Sequence, residues 1–416
     1  MSKRIIAIIF IFILTTVAWA ILGATILTRT YDSNAISSSR VESTWGAKQQ
    51  QTSPSALFKT STQKAQEVVE NGIKVTRYTT EVTATDLPLE SSKIDVNLNL
   101  EHRQKGLLWY STYKVDFLGH YAFRNISMLE QAVEFHLRFP TQQAIYDNLT
   151  FTVDGVPATL TTSNNAATAV VKVGAGKTAA LVLGYSSQGL DEWSYSFGGS
   201  DVSQVRDFNL RMKTNFKDID FPDNTLSPST KAESGNGWDL TWSYKNLLSG
   251  YQIAMAMPEK LQPGPLAGRI SFFAPVSLFF FFFLMLIITT MRGIDLHPMN
   301  YFFLAAAFFS FHLLLAYLVD HISIHASFAI AAAVSIFLVV SYLRLVVGIR
   351  FASREAALAQ FIYLVMFSYA FFLKGFTGLA VTIGSVLTLF VVMQVTGRVR
   401  WAEKFTIEDP VVGEVS

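Results

Sequence analysis

The sequence predicts an α + β membrane protein: six transmembrane helices, and between the first and second a large extracytoplasmic antiparallel β-sandwich region. Three observations predict it. Residues 270–395 hold successive hydrophobic segments divided by turns of a few residues. Residues 5–27 form a further apolar run behind Lys3 and Arg4. Between these regions the apolar spacing changes from helical to alternating. Half of the 416 residues are hydrophobic and only 15% are charged. With a mean hydropathy of +0.33, the chain is too apolar for an ordinary soluble protein.

The N-terminal run exceeds the 7–15 residues of a signal-peptide core. It also continues past Ala18-Trp19-Ala20, which has the look of a cleavage site. Residues 1–28 therefore read as an uncleaved transmembrane anchor. Residues 28–52 are rich in Ser, Gln and Thr and suggest a juxtamembrane stalk or a weak helix, and residues 29–72 together read as a stalk with a short helix. Ser53 as N-cap and Pro54 at the first helical position predict a short helix there, reaching Glu70 and stopping at Asn71-Gly72.

Residues 73–265 carry the β-sandwich expectation. Aromatic and β-branched runs at 107–117, 132–139, 149–153, 179–185, 205–212, 238–244 and 251–257 alternate as half-buried strands do. Asp154-Gly155 predicts a tight hairpin. A seam near Gly199 would divide the region into two subdomains, and a Pro-rich tether at 257–265 leads into the membrane.

Residues 266–397 form the five-helix bundle, with spans at 270–290, 299–319, 322–347, 356–373 and 376–395. At 1.5 Å of rise per residue, about 20 residues cross a hydrocarbon core of ~30 Å. Residues 278–284 are an unbroken phenylalanine run between two leucines, apolar on every side. Residues 398–416 are the tail. With the N-terminus inside, the inner ends hold Lys3, Arg4, Arg292, Arg350, Arg354, Arg398, Arg400 and Lys404, and the short outer turns hold Lys374. This asymmetry places both termini in the cytoplasm and the large domain outside.

A formal charge of +2 gives no basic excess for nucleic acid. The absence of cysteine excludes disulfides, thiolate metal sites and cysteine nucleophiles. No G-x-S-x-G, H-E-x-x-H, Walker-type or dinucleotide motif is present. Gly174-Ala175-Gly176-Lys177-Thr178 lacks the first glycine of a phosphate loop and reads as a hairpin turn. His312 and Asp320, eight residues apart on one helix face, sit with His321 and His325 as a candidate polar constellation. Ionisable groups in spans are costly enough to draw notice. Without a metal-ligand spacing, however, this set predicts no metal and no cofactor, only interfacial or interaction residues. Ala380, Gly384 and Thr388 form a small-residue stripe suited to close helix packing. Asn125-Ile126-Ser127 and Asn148-Leu149-Thr150 match glycan acceptor triplets, which occur often by chance and mean nothing if the source is bacterial.

Three stretches, in their order along the chain, resemble the CreD family of bacterial inner-membrane proteins. Ser43-x-Trp45-Gly46-x-x-Gln49 is similar to an element that follows that family's anchor. The stretch from Arg103 to Tyr110 contains Lys105-Gly106 before Trp109 and is followed by Tyr113-Lys114-Val115. It is similar to the family's basic-Gly strand entry. His297-Pro298, then Leu313-Leu314-Leu315, then Asp320-His321-Ile322, resembles its His-Pro start and Leu-rich span. Val319-Asp320 stands where the family has Ser-Glu, and a Gly-Pro segment expected after the Trp-Gly element is missing. The resemblance implies a non-enzymatic envelope-integrity or stress-response protein and transfers no binding site. It makes Trp45 and Gly46, with Asp320 and His321, structural or interaction candidates. The expected partners are the lipid bilayer, an envelope protein and, in a homo-oligomer, a second copy. The alternatives are a transporter or transporter accessory with a polar path past His312 and Asp320, and a sensor that signals through a partner.

Overall fold

A computed structural model describes residues 2–70, 73–105, 108–142, 144–198, 203–373 and 375–397. The expected seam near Gly199, Lys374, and the tail with Arg398, Arg400 and Lys404 lie outside the described residues. The chain divides into two compact units, residues 1–35 with 106–108 and 261–416, and residues 36–105 with 109–260.

The first unit is helical. Helix α1 spans Ser2–Trp45, α2 Pro263–Arg292, α3 Pro298–Leu318, α4 Ile324–Val346, α5 Ile349–Phe372 and α6 Thr377–Thr396. These are six helices long and apolar enough to cross a membrane. The boundaries follow local chemistry. Gly293 closes α2 in the left-handed region at φ 66° and donates its N–H to the Thr289 and Thr290 carbonyls. Pro298 opens α3 at a position where a missing N–H costs nothing. The Ser323 hydroxyl caps α4 by accepting from the Ala326 N–H at 3.4 Å. Helix α5 is irregular: π-turns at Ala352–Ala356 and Phe361–Met366 interrupt it, and it ends in a 3₁₀ turn at Ala370–Phe372.

The phenylalanine run of α2 serves two environments. Phe281 is fully buried, whereas Phe279 is 52% exposed and turned out of the bundle. Ion pairs mark the helix ends. Arg4 meets Asp295 at 2.7 Å, Arg292 meets Glu355 at 2.5 Å, and Arg29 meets Asp320 at 3.0 Å. Inside, Gln360 donates to the Ser335 hydroxyl at 2.7 Å, and Ser335 donates to the Ala307 carbonyl at 2.5 Å. Tyr363 donates to the Thr388 hydroxyl at 3.0 Å. The small stripe of α6 is bundle packing, because Gly384 lies against the Phe367 ring.

The second unit is β-rich. Its strands are β1 Gln49–Thr52, β2 Ser55–Glu70, β3 Ile73–Asp86, β4 Leu89–Lys105, β5 Leu108–Arg124, β6 Gln131–Arg138, β7 Tyr146–Val153 and β8 Val156–Pro157. They continue as β9 Thr161–Ser163, β10 Ala166–Val173, β11 Thr178–Leu190, β12 Glu192–Ser196, β13 Ser203–Thr214, β14 Thr230–Ser234, β15 Gly237–Ser249 and β16 Ile253–Ala256. An eight-stranded sheet runs β14-β15-β13-β4-β5-β11-β7-β8, a five-stranded sheet β3-β2-β6-β10-β9, and a three-stranded sheet β1-β12-β16. Most pairs are antiparallel, but β13 pairs with β4 and β1 with β12 in parallel. One apolar core serves all three sheets, and Phe123 of β5 meets Phe135 of β6 edge-on at 5.8 Å.

Several expectations need correction. Of the two readings of the polar stretch after the anchor, stalk or weak helix, the structure has helix as far as Trp45. The helix expected from Pro54 to Glu70 is strand β2, paired with β3 from Leu57 to Glu70. Gly174–Lys177 is not a hairpin turn, since β10 and β11 belong to different sheets. Asn125 of the first triplet is fully buried, and its amide lies within hydrogen-bond distance of the Leu129, Val173 and Gly174 carbonyls. The Asp154-Gly155 hairpin forms as expected, with Val153 opposite Val156.

Candidate functional site

The Trp45-to-Gln49 element is a helix stop followed by a latch. Gly46, at φ 105°, ends α1 and donates to the Glu42 carbonyl at 3.0 Å. A side chain there would be strained, which is why glycine occupies the position. Three residues on, Gln49 is buried in β1, its amide donating to the Ser187 hydroxyl and the Gln188 carbonyl, both at 2.8 Å. Gln51 accepts from the Tyr185 hydroxyl at 2.7 Å. Burial raises the Tyr185 phenol well above its ordinary pKa, so it stays a neutral donor.

Trp45 meets the second resembling stretch. The Arg103 guanidinium carbon sits 3.2 Å from the centre of the Trp45 ring. Arg103 also donates to Glu101 at 2.9 Å, and Lys114 approaches the same carboxylate at 3.0 Å. Lys114 first, then Arg103, hold the Glu101 carboxyl below its usual range. A shallow cleft of about 330 Å³ lies beside this stack, lined by Val41, Trp45, Arg103, Gln104 and Lys105. Its chemistry is a cation on an aromatic face with a neutralised acid behind it. Among the described residues that line the cleft there is no Ser, Thr, Cys, Asp or Glu.

In the helical unit the four singled-out residues are not brought together. His312 is fully buried on α3, with Phe311 at 4.9 Å, Trp19 at 5.7 Å and Phe308 at 6.2 Å between ring centres. Neither of its ring nitrogens has a hydrogen-bond partner among the described residues. Asp320 is ion-paired with Arg29, which also donates to the Ala316 carbonyl at 2.9 Å and lies over the Tyr317 ring. His321 is exposed in the turn after α3, and His325 packs its ring on Phe372 at 5.1 Å. Among the described residues no three His, Cys, Asp or Glu converge on a metal position. A cleft of about 760 Å³ between α5 and α6 is lined by residues among 284, 361–373 and 380–392, not by His312 or Asp320.

Sequence reasoning missed Arg29, Gln49 and Arg103 as functional partners. Arg29 carried a signal: it is a cation just past the end of an apolar run, and Asp320 is an acid just past the end of another. Arg103 carried one too, as part of the second family-like stretch, but its meeting with Trp45 is a tertiary fact.

The order of these elements along the chain matches a known family. The family described as inner membrane protein CreD matches residues 1–402. The chain belongs to the CreD family. Within this CreD protein the Trp45-Gly46 element and the basic stretch at Arg103 form one stacked contact. No curated protein sequence matches the chain. Among solved structures, the CreD chain is similar to a candidate nutrient binding protein of Legionella pneumophila. The identity is 11% and the TM-score 0.32, over 47% of this chain and 74% of that one. It is also similar to an M1 zinc metallopeptidase of Deinococcus radiodurans, at 11% identity and a TM-score of 0.25, over 40% of this chain and 42% of that one. Another crystal structure of that peptidase aligns at 10% identity and a TM-score of 0.25, over 76% of this chain and 92% of that one. Likenesses this slight carry no argument about chemistry.

Proposed function

We propose that this CreD-family chain is a non-enzymatic bacterial inner-membrane protein that supports envelope integrity or stress response. Its β-rich domain lies outside the membrane as an antiparallel sandwich and binds an envelope partner, with both termini in the cytoplasm. The observation that carries this reading is the latch at Gly46–Gln49. An uninterrupted helix leaves the apolar span, stops at Gly46 and passes the chain to a strand whose Gln49 is bonded within the β-rich core. Those bonds tie β1 into the β-rich unit and do not surround a reacting group. The excess of basic residues on one set of span ends supports the orientation. A polar path through the helices has less support, because aromatic rings enclose His312 and Arg29 neutralises Asp320.

The test is a deletion strain challenged with detergents, membrane-active toxins and cell-wall antibiotics. Deletion is expected to raise sensitivity, the full chain to restore resistance, and a chain lacking residues 74–261 to fail. Unchanged sensitivity to all three would overturn the reading.

A further inference from the structure

We infer that β3 pairs edge to edge with β3 of a second copy of this chain, antiparallel about Thr80, and so joins two β-rich domains in one sheet. The inference does not depend on an envelope partner. It starts from how the sheet edges are made. Strand β8 has two residues, β9 three, β1 and β16 four each, and β14 five. Edges this short leave little backbone for another chain to pair with. Strand β3 also ends its sheet, yet it runs fourteen residues, Ile73–Asp86, in unbroken register with β2 and without proline. Most of its residues are Ile, Val, Tyr or Thr, which favour strands.

The backbone decides which positions can pair. The Leu87 N–H donates to the Ala56 carbonyl at 2.8 Å, one step beyond the Leu57–Asp86 pair. Hydrogen-bonded pairs alternate along an antiparallel ladder. The odd-numbered positions of β3 therefore turn their N–H and C=O groups to β2. Lys74, Thr76, Tyr78, Thr80, Val82, Ala84 and Asp86 turn theirs outward. Strand β2 meets β6 only over Ser55–Phe58. From Lys59 onward β2 and β3 form a ribbon with no third strand among the described residues. A two-stranded ribbon is marginal in water; pairing with a second copy makes it four-stranded.

The match of this edge to itself selects a second copy as the occupant. With Thr80 opposite Thr80 of the second copy, every outward N–H and C=O between positions 74 and 86 meets a counterpart. Tyr78 then lies opposite Val82 and Lys74 opposite Asp86, and the twofold repeats both pairs. Tyr78 is 70% exposed and Val82 57%. Alternation puts both on the ribbon face away from Lys64 and Glu81, which are already ion-paired at 2.8 Å. Aromatic against β-branched, and lysine against aspartate, are favourable cross-strand pairs. The neighbouring registers lose this match. One opposes Tyr78 to Thr80; the other opposes Tyr78 to Ala84 and sets Glu81 against Glu81.

The test uses the full-length protein, in mild detergent and in its own membranes. Light scattering is expected to give the mass of a dimer. Thr80→Pro removes an outward N–H and no bond to β2, and proline is tolerated on an edge strand at such a position. It should weaken association at least tenfold and leave the circular dichroism spectrum unchanged. Val82→Lys, which keeps the backbone intact and opposes a charge to Tyr78, should do the same. Because the chain has no cysteine, Thr80→Cys gives a single thiol. Residues directly opposite in this ladder have Cα atoms about 5.5 Å apart, inside the disulfide range of about 4.4–6.8 Å. Oxidation of membranes should therefore cross-link two copies through Thr80→Cys, and not through Thr230→Cys on the β14 edge. A monomeric wild type overturns the inference. So does a dimer that both Thr80→Pro and Val82→Lys leave intact, or equal cross-linking at the two cysteine positions. A complex with a different protein that is lost in both variants assigns the edge to that protein and overturns it as well.

Discussion

Arg29, near the end of the first apolar run, places its guanidinium 3.0 Å from the carboxylate of Asp320, just past the end of α3. The same guanidinium donates to the Ala316 carbonyl and covers the Tyr317 ring. At the other end of the run, Arg4 meets Asp295 at 2.7 Å. Twenty-five residues of helix separate the two arginines, about 37 Å of rise, slightly more than the hydrocarbon thickness of ~30 Å. The apolar run of α1 is therefore flanked by an ion pair at Arg4 and another at Arg29, with apolar packing between them.

Asp320→Asn removes the charge and keeps the shape. It is expected to destabilise the helical unit by about 1–3 kcal/mol, as for a charged hydrogen bond lost from a partly buried site. Arg29→Gln should cost a similar amount, and the double variant less than the sum, because each single change strands the other partner. Thermal unfolding in detergent at low and high salt checks this. A fully additive cycle would show that the pair contributes nothing.

Trp45 and Arg103 should behave as a second coupled pair. Trp45→Ala is expected to cost about 0.5–2 kcal/mol from the lost cation–π contact. Arg103→Lys should recover little of that contact, because an ammonium lacks the planar face that stacks on the indole. Unfolding of the full-length protein by denaturant, followed by far-ultraviolet circular dichroism, measures both. Equal stability of Arg103→Lys and wild type would show that charge alone is what matters there.

What the sequence made legible follows from the physics of each signal. The six apolar helices were readable because hydropathy over about 20 residues is a long signal, and the ends of α2, α3 and α4 fell within a few residues of Gly293, Pro298 and Ser323. Strands such as β5 and β11 were readable from alternation, because one face of each is buried. Strand β2 was hidden for the opposite reason. Residues 61–65 are exposed on both faces, so Ser61, Thr62 and Gln63 show no alternation, and Ser53-Pro54 resembles a helix start. Gln49 and Gln51 are polar side chains made tolerable in a core by hydrogen bonds from other strands, which no local pattern encodes. At the candidate site, the sequence placed His312 and Asp320 on one helix, but α3 ends at Leu318 and Asp320 lies in the turn beyond it. The sequence could not show that Trp19 and Arg29 of α1 give them separate surroundings.

Asp191 gives a pH-dependent expectation. Burial raises its carboxyl pKa above the ordinary value. Lys48 opposes the shift, while Glu259, Glu42 and Glu192 add to it. The folded form therefore holds the proton more tightly than the unfolded chain does. Its stabilising contribution is complete below the unfolded carboxylate pKa of about 3.9 and disappears as pH rises through the folded value. Near neutral pH the ionised group is a cost. Asp191→Asn should raise stability near pH 7 and lose that advantage near pH 4, and asparagine tolerates the left-handed backbone at φ 63°. Melting of both proteins at the two pH values decides it; an advantage that grows toward acid would reverse the sign and refute the assignment.

Gly384 sets the approach of α6 to α5. A Cβ there would lie 2.7 Å from Phe367 Cε1 and 3.2 Å from Cζ. The ring has little room to yield, because Tyr363 packs on it at 5.4 Å, Phe280 at 5.9 Å and Phe273 at 6.4 Å between ring centres. One helical turn along, Thr388 accepts the Tyr363 hydroxyl, so a shift at Gly384 also strains that bond. Gly384→Ala is expected to destabilise the helical unit by about 1–3 kcal/mol, the usual range for overpacking. Phe367→Leu alone should also destabilise, by leaving a void, but combined with Gly384→Ala it should recover part of the loss. Thermal unfolding in detergent of the two single variants and the double variant tests the argument. If Gly384→Ala is neutral, α6 is free to move away from α5, and the Tyr363–Thr388 bond is not what holds it.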